Sequence, residues 1–418
     1  MSELVKRRSR ELDSSPFRWQ KATAAGFLAG CFALGSVIAG ATGGEGGEGA
    51  SFVDSTATIT NRNHVTLGKD VYVGPFAHLI SSNNITIGDE SNVQDNVVID
   101  ASQSSVELGK MAILAHGAAV KNGTRMGTEG KCPAPVANAH ADPHATGHGA
   151  ADEHCPSFVG FNSVVEGAIL EMDTMVMHLA YVGPGVRIPS GRKVNSGMRV
   201  DSQVEVMSKT APLVAGDRTF MDGVIEVNVS FAGGYSRMHD EDHDSDLGVN
   251  YDAGMSKFNP FRDLPELAGV HTRNTKFRNR IIGDVRMGNS LDELDRVMGN
   301  HISIRADEGE PFLVGKIASM GDGTVFHALE GSHIQAHDGV VYGEGVIVHG
   351  GGTPWNDVTI IGKNVRIGDH AVFFRSNLGN DSYVGSRALL QDTKLPAGSV
   401  IPDNWVVVNG QFVNRVEW

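Results

Sequence analysis

A six-residue repeat dominates this chain and limits what it can fold into. Aliphatic–glycine pairs recur at Leu67-Gly68, Val73-Gly74, Ile87-Gly88, Leu108-Gly109, Val159-Gly160 and Val182-Gly183, and again at Ile361-Gly362, Ile367-Gly368, Leu378-Gly379 and Val384-Gly385. Several neighbouring pairs stand six apart. An aliphatic side chain at every sixth position, followed by a small residue, predicts a parallel β-helix of triangular coils. Each aliphatic stacks on its counterpart in the next coil, and each small residue lets the chain turn a corner. A β-sandwich with Gly-rich turns would show period-two alternation over longer runs. The repeats fall into two blocks, roughly 51–205 and 280–405 of 418 residues. The expected fold is therefore mainly β, with two tandem β-helix domains and short helices. Gly223 to Val229 reads as a strand. Ser290 to Asn300 reads as an inserted helix, with Ser290 at the N-cap and Glu293 three residues on.

The N-terminus is a separate unit. Lys6, Arg7, Arg8, Arg10, Arg18 and Lys21 precede an uncharged apolar stretch over 22–42, near the ~20 residues that span a bilayer. A basic flank followed by an apolar run is the export pattern. A cleaved signal peptide and a retained membrane anchor both fit, and Leu28-Ala29-Gly30-Cys31 resembles a lipoprotein-processing site. The expected location is outside the cytoplasm, periplasmic or at the cell surface. A Gly-rich linker closes this unit at residue 50. The domains expected beyond it are 51–235, a linker over 236–279, and 280–418. A net charge of −14 argues against nucleic acid as a partner.

Cys132 and Cys155 bracket an insertion, 128–157, that also holds His140, His144, His148 and His154. Only Cys31 is left over, so a disulfide is expected, with a metal held by both cysteines and two of the histidines as the alternative. His239 and His243, among acidic residues, read as part of a solvated loop.

The run Ile304 to Glu330, IRADEGEPFLVGKIASMGDGTVFHALE, carries most of the chemistry. It gathers arginine, carboxylates and an imidazole on rigid coils, the material of a metal site that activates water. With VYGEGVIVHGG after it, this block resembles the gamma class of carbonic anhydrases, left-handed β-helix proteins that form trimers with zinc at subunit interfaces. The resemblance implies a structural ion pair of Arg305 and Asp307, an acid/base role for Glu308, a proton-shuttle role for Glu330, and His327 and His349 as metal ligands. Glu344 stands where the family has a further histidine. The first block resembles the same family through SNVQDNVVID and ILAHGAAVKNG. It keeps Asn92, Gln94, Asp95 and His116, but has Asp100 and Lys121 at the two other histidine positions.

Neither block carries three histidines, and the losses interlock. In this family two ligands come from one β-helix and the middle one from its neighbour. His327 and His349 from the second block and His116 from the first would complete a three-histidine zinc site, the arrangement of carbonic anhydrase in general. The alternative third ligand is Glu344, in a site made by two copies of the second block. Zn2+ is the cofactor implied, with Fe2+ or Co2+ as substitutes, and the reaction is hydration of CO2 to bicarbonate. Glu308 and Glu330 would carry the proton, and Gln94 and Asn92 would orient the reacting groups. An oligomer with β-helix/β-helix contacts, to itself or to a related subunit, is expected. The competing functions are a catalytically inactive scaffold or assembly subunit and a hexapeptide-repeat acyltransferase.

Overall fold

A computed structural model describes residues 49–133, 154–241, 278–308, 311–352, 355 and 357–418. The apolar stretch 22–42, His140, His144, His148 and His243 lie outside the described residues.

Two parallel β-helices form the body. The first runs from the strand Phe52–Val53 to Arg199–Val200 and has three sheets of eight, seven and six strands. The second runs from Asn279–Gly283 to Trp405–Val408, with sheets of eight, six and five strands. Neighbours in each sheet come from successive coils and pair in parallel, as Ala112–Leu114 does with Ser157–Val159. Each β-helix ends in an antiparallel strand: Thr210–Pro212 on Arg192–Val194, and Gln411–Arg415 on Trp405–Val408. These close the sheet edge that would otherwise stay open to pairing.

The repeat's aliphatics fill the two interiors. Val73, Val93, Leu114, Val159, Val176 and Val194 stack inside the first β-helix. Phe326, Val348, Phe373, Leu390 and Val407 do so inside the second. One face of each coil is apolar on the outside as well. Ile113, Phe158 and Met175 of the first β-helix pack against Val325, Ile347, Val372 and Leu389 of the second. Strands buried on both faces lose the period-two pattern, which is why this face reads as a continuous apolar run.

Asparagines at the coil corners fasten the same contact. Asn96 Nδ2 donates to the carbonyls of His301 and Gly323 at 3.0 and 3.2 Å. Asn162 Nδ2 donates to those of Gly345 and His370 at 2.9 and 3.1 Å. Both corners have left-handed backbone, φ 56° and 50°, which asparagine tolerates better than most residues. Gly117, on the coil between them, has φ 69°, and a Cβ there would lie 2.1 Å from the Asn162 carboxamide oxygen.

The segment read as a strand over 223–229 belongs to a 27-residue helix, Ala215–Glu241. The β-branched Val224, Ile225, Val227 and Val229 mislead, because their spacing looks extended. The helix period wins through burial: Met221, Val224, Ile225, Asn228, Phe231, Ala232, Tyr235 and Met238 form one covered stripe. The inserted helix is present as Leu291–Val297, and Ser290 and Glu293 form its capping box. Cys132 and Cys155 are joined in a disulfide, Cα atoms 5.6 Å apart, and His154 is exposed. Among the described residues no helix is long and apolar enough to cross a membrane.

Candidate metal centre

The contact between the two β-helices places His116, His327 and His349 together. One ring nitrogen of each lies within 4.8 Å of the others, and all three side chains are buried. His327 and His349 are register partners on the adjacent strands Val325–Ala328 and Ile347–Gly350, so they stack one coil apart. His116 enters from the corner after Ala112–Leu114 of the first β-helix. His116 Nε2 stands 3.3 Å from His327 Nδ1, which stands 3.3 Å from His349 Nε2.

The outward-facing ring nitrogens have their own partners. His349 Nδ1 is 2.7 Å from the Gly350 carbonyl and must donate to it. His327 Nε2 is 3.1 Å from Asp307 Oδ1 and 3.2 Å from Glu308 Oε1. His116 Nδ1 is 2.8 Å from Asp95 Oδ2, at an angle bent away from a straight hydrogen bond. Protons on these three nitrogens leave three lone pairs pointing at one another. Burial holds all three imidazoles neutral, lowering His116, His327 to about 4, and His349 well below the usual range. For His327 the Arg305 charge adds to the effect.

A buried row of charges backs the histidines. Arg305 Nε and Nη2 grip Asp95 Oδ1 and Oδ2, both at 2.9 Å, across the contact between the β-helices. Its Nη1 donates to Asp307. Ser303 Oγ also donates to Asp95 Oδ1, at 2.6 Å. Burial pushes both aspartate carboxyls up, but Arg305, together with the hydrogen bond from His116 to Asp95 and those from His327 and Tyr235 to Asp307, outweighs it and holds both below the ordinary range. Glu308 goes the other way: burial, then the neighbouring Asp307 charge, raises its carboxyl well above the usual value. The row therefore holds one guanidinium against two carboxylates, an excess of one buried negative charge.

A divalent cation fits this arrangement. Nitrogens about 2.0–2.1 Å from a tetrahedral zinc stand roughly 3.3–3.4 Å apart, matching the two 3.3 Å separations. Converging lone pairs repel unless a cation lies between them, and the buried negative excess favours one. Outer partners that fix the tautomer of each ring are the usual second layer of a histidine metal site.

The other residues singled out in the sequence divide into two groups. Asn92, Gln94, Arg305, Asp307 and Glu308 are buried at or beside the contact. Both carboxamide atoms of Asn92, Gln94 Oε1 and Glu308 Oε2 have no hydrogen-bond partner. Glu330 is exposed at the turn after His327, and its backbone N–H donates to Glu308. Glu344 is exposed on a coil corner, its N–H bound to Asp369 Oδ1 at 3.0 Å, and it does not join the three histidines. The Arg305–Asp307 pair exists, but the two-pronged grip is on Asp95. Sequence reasoning gave Asp95 no role, although the motif NVQD contains it. It also missed Tyr235, Phe161 and His178. Phe161 stacks between His116 and His178, ring centroids 5.6 and 4.5 Å away. The adjacent apolar pair Phe158-Val159, with Phe161 after it, was the available signal that the outer face would be covered.

No family model matches the chain. It is 29% identical over 163 residues to the carboxysome assembly protein CcmM of Nostoc sp., covering 37% of this chain and 26% of that protein. It is 30% identical over 145 residues to a carbonic anhydrase of Methanosarcina thermophila, covering 31% of this chain and 55% of that enzyme. Over these stretches the chain is similar to carbonic-anhydrase-like β-helix proteins. It spans about a quarter of the assembly protein and about half of the enzyme. Among solved structures, a hexapeptide transferase family protein from Anaplasma phagocytophilum aligns at 18% identity with a TM-score of 0.18, over 44% of this chain and 91% of that one.

Proposed function

We propose that this carbonic-anhydrase-like protein hydrates CO2 reversibly to bicarbonate, using a divalent metal, zinc in the first instance, held by His116, His327 and His349. The observation that carries the reading is the convergence of three neutral imidazoles from two β-helices of one chain. When bound, such an ion acidifies water to a pKa of about 7 and so supplies a nucleophile at neutral pH. The chain's residues do the rest. Asp95, Asp307 and the Gly350 carbonyl hold the three rings in the ligating tautomer. Burial under Ile113, Phe161, Val325 and Ile347 keeps bulk water out. Hydration releases one proton per CO2. Glu308, whose raised carboxyl beside His327 is already protonated, hands its proton towards the exposed Glu330 and then takes up the one released. The unpartnered amides of Asn92 and Gln94 orient the reacting groups.

A second reading, an assembly scaffold without catalysis, is favoured by the similarity to CcmM. Metal content and CO2 hydration measured on the same preparation separate the two. The enzyme reading expects about one ion per chain and activity lost in His327→Ala. A chain free of metal, or activity indifferent to that substitution, sinks it. We also place the protein outside the cytoplasm, on the basic-then-apolar N-terminus and the Cys132–Cys155 disulfide.

A further inference from the structure

Helix 215–241 reaches the three-histidine centre through two side chains one turn apart. The Phe231 ring lies 5.6 Å from the Arg305 guanidinium and 6.4 Å from the His327 ring. The Tyr235 hydroxyl donates to Asp307 Oδ2. Tyr235 is 2% exposed, packed among Phe52, Tyr72 and Phe231. Asp307 turns its other oxygen, Oδ1, to His327 Nε2 at 3.1 Å. A continuous line thus runs from the tyrosine hydroxyl through one carboxylate to the imidazole whose far nitrogen faces His116 and His349.

We propose that Tyr235 is a positioning residue for the His327 ligand, and that its hydroxyl fixes the plane of the Asp307 carboxylate and so the direction of the His327 Nδ1 lone pair. This rests on the metal reading above. Arg305 cannot do the task alone. Its fork is committed to Asp95, which leaves only Nη1 for Asp307. A carboxylate held by a single donor can swivel about that contact. The tyrosine hydroxyl reaches the same oxygen from the helix rather than from the strand, and two donors from different elements define a plane. Nor is the hydroxyl needed merely to satisfy Asp307, since Oδ2 already accepts from Arg305. What it adds is direction. Burial, and then the Asp307 charge, keep the hydroxyl protonated, so it is the donor. The anchoring comes from outside both β-helices, from the segment that leaves the first of them.

The test uses the full chain, stripped of metal and titrated with Zn2+ and with Co2+, whose visible spectrum reports ligand geometry. Tyr235→Phe keeps the ring and removes only the hydroxyl. The expected result is a Zn2+ affinity about tenfold weaker, the lower end of what outer-layer partners of metal-bound histidines contribute, with a shifted Co2+ spectrum. Met238→Ala, which removes packing from the next turn of the same helix but no hydrogen bond, should lower the melting temperature of the metal-free chain and leave affinity and spectrum as in the wild type. Equal affinity and an identical spectrum in Tyr235→Phe overturn the role of Tyr235 while the metal centre stands. A wild-type chain that takes up neither ion overturns the metal reading, and this role with it.

Discussion

The two β-helices share a repeat but present unlike faces to each other, and their polar residues have diverged accordingly. The second gives the face with Arg305, Asp307, His327 and His349. The first gives the face with Asn92, Gln94, Asp95 and His116. The first block's counterpart of the ligand face lies on its seven-stranded sheet, where Asp100 and Lys121 are register partners on adjoining coils, both only half-buried. A site shared between unlike faces needs one good copy of each. The face left outside the contact is under no such demand, and the first block has an ammonium there. Charge separates the two surfaces as well: an arginine buried between two carboxylates on one, a half-buried lysine on the other.

The sharpest way to break this comparison is to remove each cation in turn. Arg305 is 1% exposed, and taking it away strands two buried carboxylates. Arg305→Met should destabilise the metal-free chain by about 3–5 kcal/mol, the usual cost of orphaning a buried charge. Lys121→Met should stay within about 0.5 kcal/mol, as surface substitutions do. Denaturant unfolding of both variants checks this. Similar losses in the two would mean that the faces are not unlike in the way described.

The next test concerns His116, the one histidine of the three that the first block supplies. His116→Ala should abolish tight metal uptake and lower CO2 hydration by at least about a hundredfold, since two imidazoles cannot replace three. Glu344→Gln should change neither, because that carboxylate is exposed on a corner away from the histidines. Elemental analysis of the purified variants decides between them. Metal retained without His116 and lost without Glu344 would restore the site made by two copies of the second block.

Much of this was legible in the sequence, for reasons that differ by element. The six-residue spacing reports the coil directly, because one inward aliphatic per strand is a local requirement. The complementary histidines were legible because each histidine position lost in one block is kept in the other. Asp95 was not read as the partner of Arg305, since a two-pronged grip between residues 210 apart leaves no local trace. Helix 215–241 was misread because its β-branched run outweighs its period until the covered stripe is seen. Asn96 and Asn162 look like ordinary turn residues. Their role depends on carbonyls some 200 residues away.

His178 supplies a contrast in pH. It is buried above Phe161, where its Nδ1 accepts the Phe161 N–H at 3.1 Å, and burial, with Arg375 nearby, lowers its pKa to about 3. A folded value below the unfolded one means that the unfolded chain binds the proton first. Stability from this group is full above about pH 6.5 and declines as pH falls below that value. At pH 5 the decline amounts to about 2 kcal/mol. In the metal-free chain, His178→Gln should narrow the gap in unfolding free energy between pH 7.5 and pH 5 by about that much. An unaltered gap in His178→Gln would show that this imidazole is not held neutral by the contact between the β-helices.

The smallest expected effect probes how the β-helices are fastened rather than what they hold. Asn162 and Asn364 both turn a corner with positive φ, 50° and 56°. Asn162 spends its amide on two carbonyls of the other β-helix, whereas exposed Asn364 bonds Asp381 within its own, at 3.0 Å. Glycine adopts the left-handed conformation freely, so replacing either residue by glycine removes the side-chain bonds without straining the turn. Asn162→Gly should cost about 1 kcal/mol, one net hydrogen bond's worth, because two partly covered carbonyls lose their donor. Asn364→Gly should cost about half of that or less, since water replaces an exposed bond. A larger loss in Asn364→Gly would mean that the corner amides stabilise coils individually, and that the contact holding His116 against His327 and His349 depends on the apolar face alone.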